Sequence, residues 1–293
     1  MANLKEVRNR IASVTSTKQI TSAMKLVSAS KLKRAQDNIT KMRPYARKLN
    51  EILDNLGNAA EEGSADGSPY AVKREVRKVL LVAVSANKGL CGAFNANVIK
   101  RSSQLLKEYA HLPAENVTIL CIGRKAFAAL SKRANRQLPV QDTVVDKPTF
   151  AHANEIASDI MKRFVDGEFD RVDIVYNEFK TAASQNVVTE QFLPIAPEAA
   201  ENDKKTNKKD YIYQPNKEEI ILNLIPASLK TRFYKVILDS QAAEHGARMT
   251  AMHKATDNAG ELLKELKLSY NKARQAAITN EILEIVAGAE ALN

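Results

Sequence analysis

The distribution of proline and glycine constrains this chain more than any other feature. Residues 1–56 contain no glycine and one proline, Pro44, and residues 227–293 contain no proline. Because proline and glycine are the residues that most often end a helix, both ends of the chain are predicted to be long helices. A helix of 56 residues would extend ~84 Å at ~1.5 Å per residue. Helices of that length need each other, or a partner, along their sides.

The first predicted helix carries a heptad repeat with one gap. Counted from Leu4, 12 of the 16 a and d positions are apolar, and the four polar positions are consecutive, within residues 18–28. In that gap the apolar residues Ile20, Met24 and Val27 each precede a seam position by one residue, which is ~100° of rotation. The apolar stripe therefore turns to another face for about three turns. Two interpretations stay open, a local shift in packing and a contact with a second partner.

The last predicted helix ends in an apolar stripe. Its members are Ile278, Ile282, Ile285, Ala289 and Leu292. Chain ends normally fray, so an end this apolar favours burial inside a partner. The alternative is a helix tip that folds back on its own domain.

The middle of the chain alternates between strand and helix patterns. Residues 57–75 are a linker by composition. Strands are predicted at 79–84, 117–122 and 171–176, and helices near 94–110, 124–134 and 152–165. This alternation is typical of a small open α/β sheet with parallel strands. A further strand at 187–193 is predicted beside 171–180, and residues 198–210 are predicted to form an exposed, mobile loop.

Charge and composition limit the partners. The net charge is +10, and residues 1–56 hold 12 Lys or Arg against four Asp or Glu, so the charge is compatible with an acidic protein partner, nucleic acid or an anionic membrane. Nucleic acid is not favoured, because the basic residues are scattered among seam positions and form no compact basic region. No run reaches the ~18 apolar residues of a membrane span, and no apolar signal region follows Met1. The chain is predicted to be cytoplasmic, which is compatible with a place of action beside a membrane.

The stretch "SANKGLCGAFN" at residues 85–95 resembles a place where α/β proteins bind phosphates. Gly89 and Gly92 nevertheless match neither the P-loop nor the dinucleotide-binding pattern, so a tight turn into a helix is predicted. Cys91 has no histidine in the turn to activate it, and Cys121 lies in an apolar run, so both are predicted to pack as small hydrophobic residues.

No catalytic or metal site stands out elsewhere. His245 and His253 lie eight residues apart without a Glu-x-x-His companion, and both are predicted on a polar face. The sequence therefore predicts no catalytic residue, no metal and no cofactor. A nucleotide-dependent enzyme built on the α/β part remains a rival hypothesis, which nucleotide titration of the chain would test.

Both ends of the chain resemble one protein family. The relevant segments are "RNRIASVTSTKQITSAMKLVSASKLKRAQ" near the start and "GARMTAMHKATDNAGELLKELKLSYNKARQAAITNEILEIVAGAEAL" near the end, with "GLCG" and Asn95 in the middle. Within the second segment, the terminal signature of the family is matched by Ile278, Thr279 and Glu281, followed by Glu284 and by Gly288 and Ala289. In these features the chain is similar to the gamma subunit of F-type bacterial ATP synthases over nearly its whole length.

The resemblance implies a fold and a non-catalytic function. The implied fold class is α/β: an antiparallel coiled coil of helices 1–56 and 216–293, with a small open Rossmann-like α/β domain at 76–215 between them. The implied function is that of a central rotor shaft, which transmits torque between an ion-driven proteolipid ring and a catalytic ring. The implied partners are alternating alpha and beta subunits, the epsilon subunit and the proteolipid ring, at the cytoplasmic face of the bacterial inner membrane.

The resemblance also implies partner-binding residues. They are Met24, Lys25, Val27, Arg248, Arg274, Gln275, Thr279, Glu281 and Tyr211. Two positions depart from the family pattern: Asn87 stands where an Asp is common, and Gln214 stands where some relatives have an acidic residue. They put in doubt a carboxylate role at the glycine turn and a charge contact with the proteolipid ring.

Overall fold

Two very long helices and a five-stranded sheet make up the protein. The computed structural model describes residues 4–59, 69–72, 74–133, 136–182, 184–195 and 217–290. The helices are α1 (Leu4–Ala59), α2 (Phe94–Glu108), α3 (Arg124–Leu130), α4 (Thr143–Asp146), α5 (Phe150–Val165) and α6 (Lys217–Glu290). The strands are β1 (Val79–Val84), β2 (Val117–Ile122), β3 (Arg136–Gln137), β4 (Arg171–Phe179) and β5 (Gln185–Leu193). The predicted mobile loop 198–210 lies outside the described residues.

The two predicted terminal helices are present, with one boundary corrected. α1 continues through Gly57 to Ala59, so the prediction that a linker begins at residue 57 was wrong. A single glycine costs a helix only ~1 kcal/mol relative to alanine, which is too little to end it. Pro44 and Pro226 also lie inside α1 and α6, where each removes one backbone hydrogen bond without ending the helix.

The strands form one mixed sheet in the order β3-β2-β1-β4-β5. β1 pairs in parallel with both β2 and β4, and β4 pairs with β5 in an antiparallel hairpin. The strands predicted at 79–84 and 117–122 are confirmed at those bounds, and the strand predicted beside 171–180 is β5. The two-residue strand β3 and the short helix α4 were not predicted, because neither is long enough to show a hydrophobic period.

Helices cover both faces of the sheet and build two hydrophobic cores. Alternate residues of β1 point to opposite faces, and all six are at most 2% exposed. One face packs against α5 and the first half of α6 through residues such as Phe164 and Phe233, and the other packs against α2 and α3 through Leu105 and Leu130. Both faces of the central strand β1 are therefore covered by other parts of the same chain.

α6 approaches the β4–β5 hairpin very closely at Gly246. A Cβ atom at this position would lie 3.2 Å from both the Cα and the O of Ala182. The neighbouring His245 is only 8% exposed, so the prediction that it lies on a polar face was wrong, whereas His253 is exposed as predicted. The Ala-rich segment around residue 243 explains the difference, because small residues let the helix sit deep against the sheet.

The chain divides into two compact units. The first contains residues up to Ala29 and from Arg248 onward, and the second contains residues 30–247. In the first unit α1 and α6 run antiparallel. Their contacts join Arg8 to Tyr270, Lys18 to Gly260, Thr21 to Thr256 and Lys25 to His253.

Candidate partner-binding surface

The gap in the heptad repeat of α1 is filled by polar side chains that stay in the seam. Ser28 is 3% exposed and its Oγ donates a hydrogen bond to the O of Met24 at 2.7 Å. Thr21 is partly buried, and its Oγ1 accepts a hydrogen bond from Thr256 Oγ1 at 2.9 Å. Lys18 is exposed, whereas Thr21, Lys25 and Ser28 are buried or half-buried, so the seam keeps its heptad spacing through residues 21–28, where its side chains are polar instead of apolar.

The apolar residues of the same segment face outward. Ile20 and Val27 are each 57% exposed and Leu26 is 68% exposed, whereas Met24 is half-buried. In the described structure the shift in the apolar pattern does not repack these side chains inside the helix pair. A helix pair is stabilised when apolar side chains lie between its helices and polar side chains face water. Here this arrangement is reversed, which favours contact of the exposed apolar side chains with a partner.

Two predicted partner-binding residues lie at the edge of this segment. Lys25 Nζ lies 3.5 Å from Nδ1 of His253. His253 Nδ1 also lies 3.3 Å from Oδ2 of Asp257. Arg248 is half-buried on α6. The structure thus gives Lys25 an internal polar neighbour on α6 and leaves Val27 free to face outward.

A second group of predicted residues lies near the end of α6. Arg274, Gln275, Thr279 and Glu281 are all exposed, and Thr279 Oγ1 donates only to the O of Gln275 at 2.9 Å, within its own helix. The structure gathers them on one exposed stretch, separate in sequence from the residues near Met24. Tyr211 and Gln214 lie outside the described residues.

The apolar stripe runs through this second group. Ile278 is 48% exposed, Ile282 is 55% exposed and Ile285 is 68% exposed. Leu283 and Val286 beside them are 60% and 49% exposed. Within the described residues this part of α6 does not fold back on the chain, so its apolar surface is available to a partner.

The glycine turn after β1 is held by a side-chain clamp. Asn95 Oδ1 accepts from the backbone N of Ala86 at 3.0 Å, and Asn95 Nδ2 lies 3.2 Å from the Sγ of Cys91. Asn87 Nδ2 donates to Oδ2 of Asp146 at 2.9 Å, so this amide has a structural partner here. The side chains of this segment hold the turn together.

The crevice beyond the carboxyl ends of β1 and β4 is filled by side chains. Cys91 and Phe94 pack there with Phe179, Ala243 and Ala247. In open α/β sheets this is the usual place for a ligand, and here the Ala-rich part of α6 occupies it. This strand–turn–helix therefore resembles a phosphate-binding segment in its sequence, but its side chains pack against α6.

Both cysteines are buried, as predicted, with Cys91 1% and Cys121 2% exposed. Burial raises the pKa of the Cys121 thiol to about 12, so this thiol stays protonated and unreactive near neutral pH.

One exposed apolar residue in the turn was not singled out from the sequence. Leu90 has φ +60 and is 64% exposed. A left-handed conformation is unfavourable for leucine, so the turn displays this side chain at some cost. Its only sequence signal is its position between two glycines, which does not reveal exposure.

Among the described residues, no three His, Cys, Asp or Glu side chains are grouped so that they could hold a metal ion. No described helix is both long enough and apolar enough to cross a membrane.

Comparison with known proteins agrees with this geometry. The ATP synthase family profile matches residues 3–292. The ATP synthase gamma chains of Flavobacterium johnsoniae and Cytophaga hutchinsonii are 58% and 52% identical, each over 100% of this chain and 100% of the relative.

Solved structures agree in fold. One is from the Euglena gracilis mitochondrial ATP synthase OSCP/F1/c-ring, with TM-score 0.66 and 21% identity over 99% of this chain and 94% of that chain. Another is from the Tetrahymena thermophila mitochondrial ATP synthase central stalk and c-ring, with TM-score 0.61 and 23% identity over 80% of this chain and 99% of that chain. The polar seam, the exposed apolar stripes and the full-length matches lead to one conclusion: the chain belongs to the family of ATP synthase gamma chains.

Proposed function

We propose that this chain is the central rotor shaft of a bacterial F-type ATP synthase and is not itself catalytic. The apolar stripe of Ile278, Ile282 and Ile285 carries the proposal, since these side chains are 48–68% exposed on a helix of an ATP synthase gamma chain. A surface of this kind is stable in water only at a cost, and a surrounding ring of alternating alpha and beta subunits would cover it. A smooth apolar contact also suits a bearing, because no directional bond has to break as the helix turns.

Torque transmission requires that the shaft present different faces to equivalent partners. A ring subunit that met the same contact in all its states would not be driven between them. On α1, an exposed apolar face formed by Ile20, Leu26 and Val27 lies beside the polar seam. We propose that each catalytic subunit meets this apolar face in only one rotary position, so that contact with it favours one conformation and one nucleotide affinity.

Basic side chains of α1 extend the proposed contact. Lys31, Arg34 and Lys41 are exposed and recur at heptad-like spacing, whereas Asp37 pairs with Lys33 at 3.0 Å. Such charges complement acidic segments of the catalytic ring and are screened by salt, so they orient the contact more than they strengthen it. Met24, Lys25, Val27 and Arg248 would make the contact near the polar seam, and Arg274, Gln275, Thr279 and Glu281 the polar contacts nearer the tip.

The remaining partners follow from the same assignment. The epsilon subunit and the proteolipid ring would bind other parts of the chain, and the resemblance to the family assigns Tyr211 to these contacts. The chain would reach the membrane only through this complex, at the cytoplasmic face of the bacterial inner membrane. Ion flow through the proteolipid ring would then turn the shaft, and the nucleotide chemistry would take place on the ring subunits.

A rotation assay tests the proposal. The complex is purified from its host through a tag on this chain, its catalytic ring is fixed to a surface, and a bead is attached to a cysteine placed at the exposed Lys132. Rotation of the bead on addition of ATP is expected, together with the absence of ATPase activity from the isolated chain. A bead that stays still in a hydrolysing complex, or turnover by the isolated chain, would contradict the proposal.

A further inference from the structure

The two helices of the first unit meet in one continuous antiparallel register. From Arg8 opposite Tyr270 to Lys25 opposite His253, the residue numbers of each contacting pair add to 277 or 278. A constant sum means that neither helix slips or bulges along this stretch. Residues that select this register from its neighbours should therefore lie inside the stretch.

The seam of α6 can be identified from burial alone. Between residues 252 and 273, the buried and half-buried side chains recur at alternating steps of four and three residues, with Ala255 and Gly260 as additional half-buried positions. The members of this repeat are Met252, Thr256, Ala259, Leu263, Leu266, Tyr270 and Ala273. Thr256 is the one short polar side chain among these seven, and it stands opposite Thr21, a seam residue of α1.

The hydrogen bonds of this threonine pair are well defined. Thr21 Oγ1 donates to the O of Lys18 at 3.1 Å, so its lone pairs remain to accept the proton of Thr256. Thr256 Oγ1 lies 2.9 Å from Thr21 Oγ1 and 2.8 Å from the O of Met252, so it donates to either. The bond across the helices exists only in the observed register, because a shift by one heptad would place Thr21 opposite Leu263 in one direction and Met249 in the other.

We propose that the Thr21–Thr256 pair is a register key, which fixes the axial offset of the two shaft helices and so positions the exposed Ile20, Leu26 and Val27. Thr256 is the one short polar side chain in the α6 seam between residues 252 and 273, where the neighbouring seam residues Met252, Ala259 and Leu263 are apolar. A polar contact of this kind lowers stability but penalises every register in which Thr21 would face one of those apolar side chains instead. The contact of Lys25 with His253, one turn further along α1, acts in the same sense. The functional part of this inference rests on the proposed rotor function, whereas the register itself does not.

The register is measured in the full-length chain with two spin labels. Labels at Arg10→Cys and Lys254→Cys lie on exposed positions, and are offset by about 20 Å along the pair at ~1.5 Å per residue, so axial slip changes their separation directly. The parent is expected to give one narrow distance distribution. Thr21→Val with Thr256→Val is expected to broaden it at least about twofold or to add a second population, without lowering the melting temperature.

A matched control distinguishes the register key from the general effect of replacing a threonine of α1 by valine. Thr17 is exposed, and its Oγ1 donates at 3.0 Å to the O of Ser13 within its own helix. Thr17→Val should keep the narrow distribution. If the double valine variant also keeps a single narrow distance, and merely melts at a lower temperature, the pair is an ordinary packing contact and the proposal is overturned.

The assembled complex then tests the functional consequence. In the double valine variant, ATP hydrolysis is expected to persist while ions pumped per ATP fall, because the apolar face meets the ring at a less defined height. Broadened distances with unchanged pumping would overturn the positioning role of the key. Failure of the parent chain itself to co-purify with a nucleotide-binding ring would instead contradict the proposed rotor function, and would leave the distance measurement intact.

Discussion

Strand β1 and the end of α6 have similar apolar character and opposite surroundings. The six residues of β1 are 0–2% exposed, whereas the large apolar residues between Ile278 and Val286 are 48–68% exposed. The first group is covered by helices of the same chain, whereas the second is not covered by any described part of this chain. Stability and function therefore depend on different regions of this protein: changes in the sheet should affect folding, and changes at the end of α6 should affect assembly.

The largest effect is expected from charge on the exposed stripe. Replacing Ile278, Ile282 and Ile285 together by Asp should abolish assembly with ring subunits and leave the melting temperature of the isolated chain nearly unchanged. Each carboxylate would cost several kcal/mol to bury unpaired in an interface but is solvated in the free chain. Co-expression with ring subunits followed by size-exclusion chromatography measures the first effect, and calorimetry the second.

The control adds the same charge to polar positions of the same helix. Asn258, Asn271 and Asn280 are exposed, and their replacement by Asp should allow more assembly than the isoleucine variant allows. Entry of the triple isoleucine variant into the complex as readily as the parent would show that this stripe is not inside a partner.

The second largest effect is expected on folding stability, from glycine substitutions in the turns that follow the strands of the sheet. Gly123 has φ +102, and a Cβ there would lie 2.2 Å from the O of Ser85, so Gly123→Ala is expected to cost about 3 kcal/mol or more of folding free energy. Gly92 has φ +58 with nothing within 4 Å of an added Cβ, so Gly92→Ala should cost only about 1–2 kcal/mol. Denaturant unfolding compares the two variants, and equal costs would mean that backbone crowding at Ser85 is relieved elsewhere.

A pH-dependent effect is expected at Asp239, on the face of α6 that packs in the second unit. Burial raises the pKa of this carboxyl to about 6 from 3.8, although Lys235 and Arg43 oppose the shift. The folded state therefore binds the proton more tightly than the unfolded state, and stability falls as pH rises from about 4 through about 6. Asp239→Asn should stabilise the chain by on the order of 1 to 3 kcal/mol at pH 7 and by little at pH 3.5. A stabilisation that is independent of pH would contradict the assignment.

The smallest effect is expected at Met24. This side chain is half-buried beside the polar seam, so Met24→Lys should spare the helix pair but add a cation to the face that we assign to catalytic-subunit contact. An ion pair formed in one rotary state and broken in the next would over-stabilise that state by on the order of 1 kcal/mol. Ions pumped per ATP should fall while hydrolysis continues. An unchanged pumping ratio with a lower melting temperature would identify Met24 as an ordinary core residue.

Sequence patterns predicted those parts of the fold that depend on local periodicity. β1 and β2 were predicted at their observed bounds because β1 is a six-residue apolar run, β2 is apolar apart from Thr118, and each is followed by a turn signal. The heptad count likewise located the anomaly within residues 18–28. It did not show that Thr21 and Ser28 remain in the seam, because that depends on Thr256 and on backbone acceptors that no pattern in α1 encodes.

Other features depended on tertiary contacts and stayed invisible. The exposure of Leu90 depends on the clamp that Asn95 makes around the turn. The burial of His245 depends on how closely α6 lies to the β4–β5 hairpin at Gly246. In each case the residue type alone favours the opposite environment, and contacts with other segments of the same chain determine the exposure that is observed.

The most direct test of the central claim is the accessibility of one side chain in two states. Ile285→Cys places a thiol where 68% of the side chain is exposed, while Cys91 and Cys121 are buried and should not react near neutral pH. The rate of maleimide labelling is measured in the isolated chain and in the assembled complex. We expect rapid labelling in the isolated chain and at least about tenfold slower labelling in the complex, because a partner would cover this face. Equal rates in both states would contradict the claim that the end of α6 lies inside a partner ring.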